Sequence, residues 1–236
     1  MDPSAYALVH GLRRTRGTLA DWRSDPGPVL RRWVHQSLGV TGLLLAATWL
    51  VAVLWPGGTR GGVIVAPPLV AGNAGDVVHI LGHNLLVLAF HALACTAGFI
   101  AGSSLPLQAA HKTGLSRWVH ERGQPFALAF VIGATLFSLT MQAYTIGRGV
   151  ASVAGGLAVS PTVLLVALLP HALPELVALF LPLAAWIVAS RRGDWDQLLA
   201  ATFVTSGLAL PVLVLAAVWE VYGAPHVVGA LIGHVG

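Results

Sequence analysis

Charge is scarce in this chain. Asp, Glu, Lys and Arg together make up 9% of its 236 residues, against about a quarter in a soluble domain. Hydrophobic residues make up 56%, and the mean hydropathy is +0.78. So few charges cannot cover a water-exposed surface, which excludes an ordinary soluble domain. Cysteine is scarcer still. Cys95 stands alone, so the chain forms no internal disulfide. Lysine occurs once, at Lys112, beside twelve arginines, a bias that suits a GC-rich, bacterial genome. Several signatures are missing as well. There is no Gly-x-Ser-x-Gly and no His-Glu-x-x-His. No basic patch is interleaved with stacking aromatics, so nucleic acid is not an expected partner.

What the chain has is long apolar runs. Five of them predict membrane spans at 37–55, 78–101, 126–147, 170–189 and 198–222. The first run would rise about 29 Å as a helix, the thickness of a hydrocarbon core. It starts too far in for a cleaved signal peptide and is read as an anchor. Residues 1–36 are polar and basic with interspersed Leu and Trp, which predicts an interfacial helix ending at "DPGP" (25–28). Residues 56–77 and 102–125 read as loops. Residues 37–236 form a single transmembrane domain. The fold class expected is therefore all-α, a polytopic transmembrane helix bundle.

The cations give an orientation. With five spans and a cytoplasmic N-terminus, the inner side holds Arg13, Arg14, Arg16, Arg23, Arg31, Arg32, Lys112, Arg117, Arg122, Arg191 and Arg192. Only Arg60 and Arg148 fall outside. This is the positive-inside pattern of a bacterial plasma-membrane protein, with an extracytoplasmic C-terminus. Two full spans within 150–189 would spoil it, so a re-entrant half-helix is expected at about 152–169, ahead of a span starting at Pro170.

That topology sorts the polar residues by depth. His79, His83 and Asn84 of the second span, Gln142 of the third, His171 and Glu175 of the fourth and Glu220 of the fifth all fall in the outer part of the bilayer. Intramembrane ionisable groups are expensive, so they converge where they can satisfy one another. His171, Glu175, Asn84, Glu220, His83 and Gln142 are the candidate functional cluster. His79 and His83 are four residues apart, as are His171 and Glu175, so each pair shares a helix face. Together these four are the ingredients of a zinc site, with Glu220 as a general base in a hydrolytic version. The bland alternative is that the same side chains hydrogen-bond each other and hold the spans in register. It is the expected one, with no cofactor, because no metal motif is present. His91 lies two turns beyond His83 but no other span offers a deep His to face it, so haem is not expected.

Three motifs carry a family resemblance. "PHALPELVALFLP" (170–182), "AAVWEVYGAP" (216–225) and "GHNLLVLAF" (82–90) resemble segments of the stage II sporulation protein M family of bacterial membrane proteins. Ala172, His83 and Ala224 replace the family's Gly, Asn and Thr, as in a divergent member. The resemblance implies functional positions at His171, Glu175, Asn84, Glu220 and Pro225. It also implies a non-catalytic membrane component of an envelope, export or maturation complex. Its partners would be the lipid bilayer and other membrane or envelope proteins, in a homo- or hetero-oligomer. The rival readings are an intramembrane metallopeptidase-like enzyme and a permease-like subunit.

Overall fold

The computed structural model describes residues 3–55, 72–104 and 113–235. Eight α-helices and no strand occur among them: α1 Pro3–Ser24, α2 Gly27–Leu54, α3 Ala74–Phe99, α4 Gly114–Gly156, α5 Pro161–Leu179, α6 Leu181–Arg192, α7 Leu198–Tyr222 and α8 Ala224–Val235. A π-helical turn, Ile100–Ser104, extends α3, and a 3₁₀ turn, Trp195–Gln197, leads into α7. Five helices are long and apolar enough to cross a membrane: Gly27–Leu54, Ala74–Ser103, Pro125–Gly156, Pro161–Leu179 and Trp195–Tyr222. Leu43, Leu86, Phe137 and Leu215, from four of these, are each about 70% exposed on the outside of the bundle. A surface of that kind belongs against lipid. The chain is a multi-pass helical membrane protein.

Local chemistry sets several helix ends. Asn73 caps α3 through a reciprocal box. Its Oδ1 accepts from the Gly75 and Asp76 amides at 2.7 and 3.3 Å, and Asp76 Oδ2 accepts from the Asn73 amide at 2.8 Å. Ser160 starts α5 by accepting from the Val163 amide at 3.2 Å, with Pro161 in the first turn. Gly193, at φ 74°, closes α6 behind Arg191 and Arg192, both favoured at a helix C-terminus. The break between α1 and α2 falls at Asp25–Pro26, within the segment that predicted it.

Three sequence expectations need correction. The segment 152–169 is not one half-helix. Residues 152–156 finish α4, a turn follows, and 161–169 are the first half of α5. The fourth span therefore does not begin at Pro170. Pro170 and Pro174 lie inside α5, and the helix breaks instead at Phe180, just before Pro182. The expected loop 102–125 is also partly helical, because α4 starts at Gly114 and runs through Pro125; residues 105–112 lie outside the described residues, as do 56–71 of the first loop.

The broken helix α5–α6 is the centre of the bundle. α6 packs against α2, α3 and α7, α5 against α2 and α7, and α4 lies outside against α2 and α3. Every residue from Ala178 to Trp186 is buried. The break at Phe180 and the missing N–H of Pro182 leave carbonyls at the end of α5 without helical donors, and side chains of neighbouring helices bond to the backbone on both sides of it. The Ser37 hydroxyl of α2 donates to the Val177 carbonyl at 2.6 Å, and the Cys95 thiol of α3 donates to the Pro182 carbonyl at 2.9 Å. Small residues admit the partners closely: the Trp186 indole lies on Gly98, and α2 approaches Gly147 of α4.

The two ends of the bundle differ. At one, Arg14 of α1 pairs with Asp196, which also accepts from Ser103, and Trp22 stacks edge-on to Trp33 at 5.1 Å. Arg32 and Arg192 line one cavity there. At the other end, Gly72 lies against Val221, and Arg148 sits over the Trp55 ring at 4.6 Å.

Candidate functional site

Four polar residues from three helices gather on the side of the second end. His171 and Glu175 stand one turn apart on α5, and Pro170 and Pro174 precede each of them. They lie about 15–20 Å from the first residue of α5, so the additional helical turns at 161–169 set them deeper than a span starting at Pro170 would. Glu220 approaches from the last turn of α7, and Asn84 from α3. One ligand atom each of His171, Glu175 and Glu220 lies within 4.8 Å of the other two. The Asn84 side-chain amide donates to Glu175 Oε1 at 2.5 Å. Asn84 is buried and the other three are half-buried. The helix α8 packs on both α5 and α7 beside this group.

Electrostatics makes the arrangement demanding. Two ionised carboxylates at about this separation repel by roughly 3.5 kcal/mol at an effective dielectric constant of 20. Each charge also loses hydration inside a membrane, at about 3 kcal/mol or more. One amide donor from Asn84 cannot offset both. The group needs positive charge: a proton or a bound cation. A His nitrogen and two carboxylates form a donor set suited to zinc, manganese or ferrous iron. Asn84 would then fix the orientation of a ligating carboxylate from behind.

The sequence-derived cluster is divided by the structure. His171, Glu175, Asn84 and Glu220 come together. His79 and His83 are exposed on α3 and stand outside the group, so the set His79, His83, His171 and Glu175 is not the one assembled. Gln142 stays on its own helix, donating to Ser138 Oγ at 3.1 Å. The reason is helical phase. Asn84, Leu88, His91 and Cys95 are buried and make one stripe on α3, at spacings of four, three and four. His83 is about 100° from that stripe and His79 is about 140° from it. The stripe was present in the sequence and distinguishes Asn84 from its neighbour.

His91 belongs to the apolar core instead. It is fully buried, edge-on to Phe180 at 5.2 Å and to Phe90 at 5.8 Å. Among the described residues, neither ring nitrogen has a hydrogen-bond partner.

No protein-family model, curated protein or solved structure matches this chain.

Proposed function

We propose that this chain is a non-catalytic, multi-pass component of a bacterial envelope, export or maturation system, and that it binds a divalent cation between His171, Glu175 and Glu220. The observation that carries the reading is the convergence of these three donors from α5 and α7 inside an apolar bundle. The cation offsets the carboxylate repulsion and clamps α7 to α5, while Asn84 ties in α3. Such a site stabilises one arrangement of spans, as suits a membrane subunit that presents surfaces to partners. The family resemblance supports the same role. The clustering of Arg14, Arg32 and Arg192 at one end supports a plasma-membrane orientation with that end cytoplasmic, leaving the triad nearer the extracytoplasmic face.

The test is metal content. Protein purified without chelators should carry one ion per chain, zinc being the first to assay. Glu220→Gln and His171→Ala should lose it, and His83→Ala should keep it. Equal loss in His83→Ala, or no metal in a folded wild-type preparation, would remove the ion from the reading.

The number of donors favours one second reading. Three protein ligands leave a coordination position open, as in catalytic zinc sites. On that reading the protein is an intramembrane metal-dependent hydrolase. X-ray absorption on the zinc-loaded protein separates the two: a water-derived ligand supports hydrolysis, and a shell completed by protein atoms supports the clamp.

A further inference from the structure

The opposite end of the bundle holds a second built feature, independent of the ion site. A cavity of about 180 Å³ opens where the end of α1, the start of α2, the end of α6 and the start of α7 meet. Trp22 and Trp33 form one wall; Arg32, Arg192, Asp194 and Gln197 supply its polar groups. Its floor is made of alanines from α6 and α7, whose short side chains leave the space open.

The chemistry of the walls selects an anion. Arg192 Nε lies 3.1 Å from Asp194 Oδ2. That contact orients the guanidinium and leaves its two terminal NH₂ groups as donors. Arg32 brings a second guanidinium from a different helix, and Gln197 an amide. Two permanent positive charges against one carboxylate leave the cavity net positive. Guanidinium forks match phosphate oxygens in a bidentate way. The volume is below the 300–1,000 Å³ typical of drug-sized ligands, so it suits a single phosphate group with its ester linkage. The setting matches too: tryptophans and arginines mark the membrane–water interface, where basic pockets between helices receive lipid head groups.

We propose that this cavity binds a phosphate group, presented either by an anionic phospholipid of the adjoining leaflet or by free phosphate, with Arg32 and Arg192 as its ligands and Trp22 and Trp33 as its apolar wall. A lipid held there would tie the hinge between α1 and α2 to the ends of α6 and α7.

The experiment measures thermal unfolding of the delipidated full chain in detergent. Phosphatidylglycerol, phosphatidylcholine and inorganic phosphate are titrated separately. The variants are Arg32→Gln, Arg192→Gln and Arg31→Gln. The last removes the same charge from the neighbouring residue, which does not line the cavity. Melting without added ligand checks that each variant folds. A saturable stabilisation by phosphatidylglycerol and not phosphatidylcholine, kept by Arg31→Gln and weakened about tenfold by each of the other two, is the expected result and names lipid as the source. The same Arg32-dependent response to inorganic phosphate alone supports the site with a soluble source. If Arg31→Gln weakens the response as much as Arg32→Gln, diffuse surface charge explains it and the site is overturned. No response to either phosphate source in a folded wild-type protein overturns it as well. Because no metal enters the readout, failure here leaves the ion site untouched, and the reverse also holds.

Discussion

Asn84 of α3 and Glu175 of α5 are 91 positions apart in the chain and joined by a 2.5 Å hydrogen bond in the bundle. The bond connects a buried amide to a carboxylate that also faces His171 and Glu220. It makes α3 a partner in the site although it contributes none of the three converging donors.

Replacing Asn84 with Ala should therefore be costly. A hydrogen bond to a charged group contributes about 1.5–3 kcal/mol, and Glu175 would lose its donor in apolar surroundings. For a chain of this size that is a fall of about 4–10 °C in melting temperature. Cation affinity should drop about 10–100-fold through misorientation of Glu175. Calorimetry and metal titration check the two effects; an unchanged melting point would mean that the bond holds nothing together.

Ala158 is a second pressure point. It has φ 55° in the turn after α4, the left-handed region where a Cβ is disfavoured. The Val159 amide bonds to the Ala154 carbonyl at 3.0 Å and the Ala158 amide to Gly155 at 3.3 Å, the pattern of a helix C-terminus that usually has glycine here. Ala158→Gly should relieve about 1–2 kcal/mol of strain and lose up to about 1 kcal/mol in unfolded-chain entropy. A net gain of about 0.5–1 kcal/mol follows from that difference. Destabilisation in a thermal melt would contradict it.

Gly147 tests the packing of α4 on α2. A Cβ built there would lie 2.7 Å from Val51 Cβ and 2.8 Å from the Thr48 carbonyl oxygen. A backbone oxygen cannot move aside as a flexible side chain would. Gly147→Ala should destabilise by about 1–3 kcal/mol, as overpacking does. Gly149→Ala, where nothing lies within 4 Å, should instead be neutral or stabilising, because Ala is the better helix former; an equal loss there would mean that the clash does not explain the Gly147 result.

Topology can be read with single cysteines and a membrane-impermeant maleimide, since native Cys95 is buried. Thr18→Cys and Gly193→Cys should share one side and be protected in intact cells. Ala74→Cys and His226→Cys should be labelled. Labelling of Gly193→Cys from outside would place the arginine-rich end on the outer face and overturn the proposed orientation.

Hydropathy alone located much of the architecture. A run of apolar residues long enough to cross a bilayer is a property of the local sequence, so the long apolar helices were legible, and the last, Leu198–Tyr222, has the boundaries its hydropathy predicts. The stop at Asp25–Pro26 was equally local. The cation bias was legible too, because it needs only counting. The tertiary structure decided what depends on the neighbours of a residue. Pro170 looks like the start of a span that runs unbroken to 189, yet α5 passes through it from Pro161, and the interruption comes at Phe180. There α2 and α3 offer Ser37 and Cys95 to backbone carbonyls on either side of the break, and no local rule states where such donors will be. His83 and Asn84 are adjacent and both polar, but a rotation of about 100° per residue puts one on the surface and the other against Glu175. The sequence determined that polar groups must be collected within the membrane, because each alone is too expensive there. Which of them meet was set by the phase at which α3, α5 and α7 pack together.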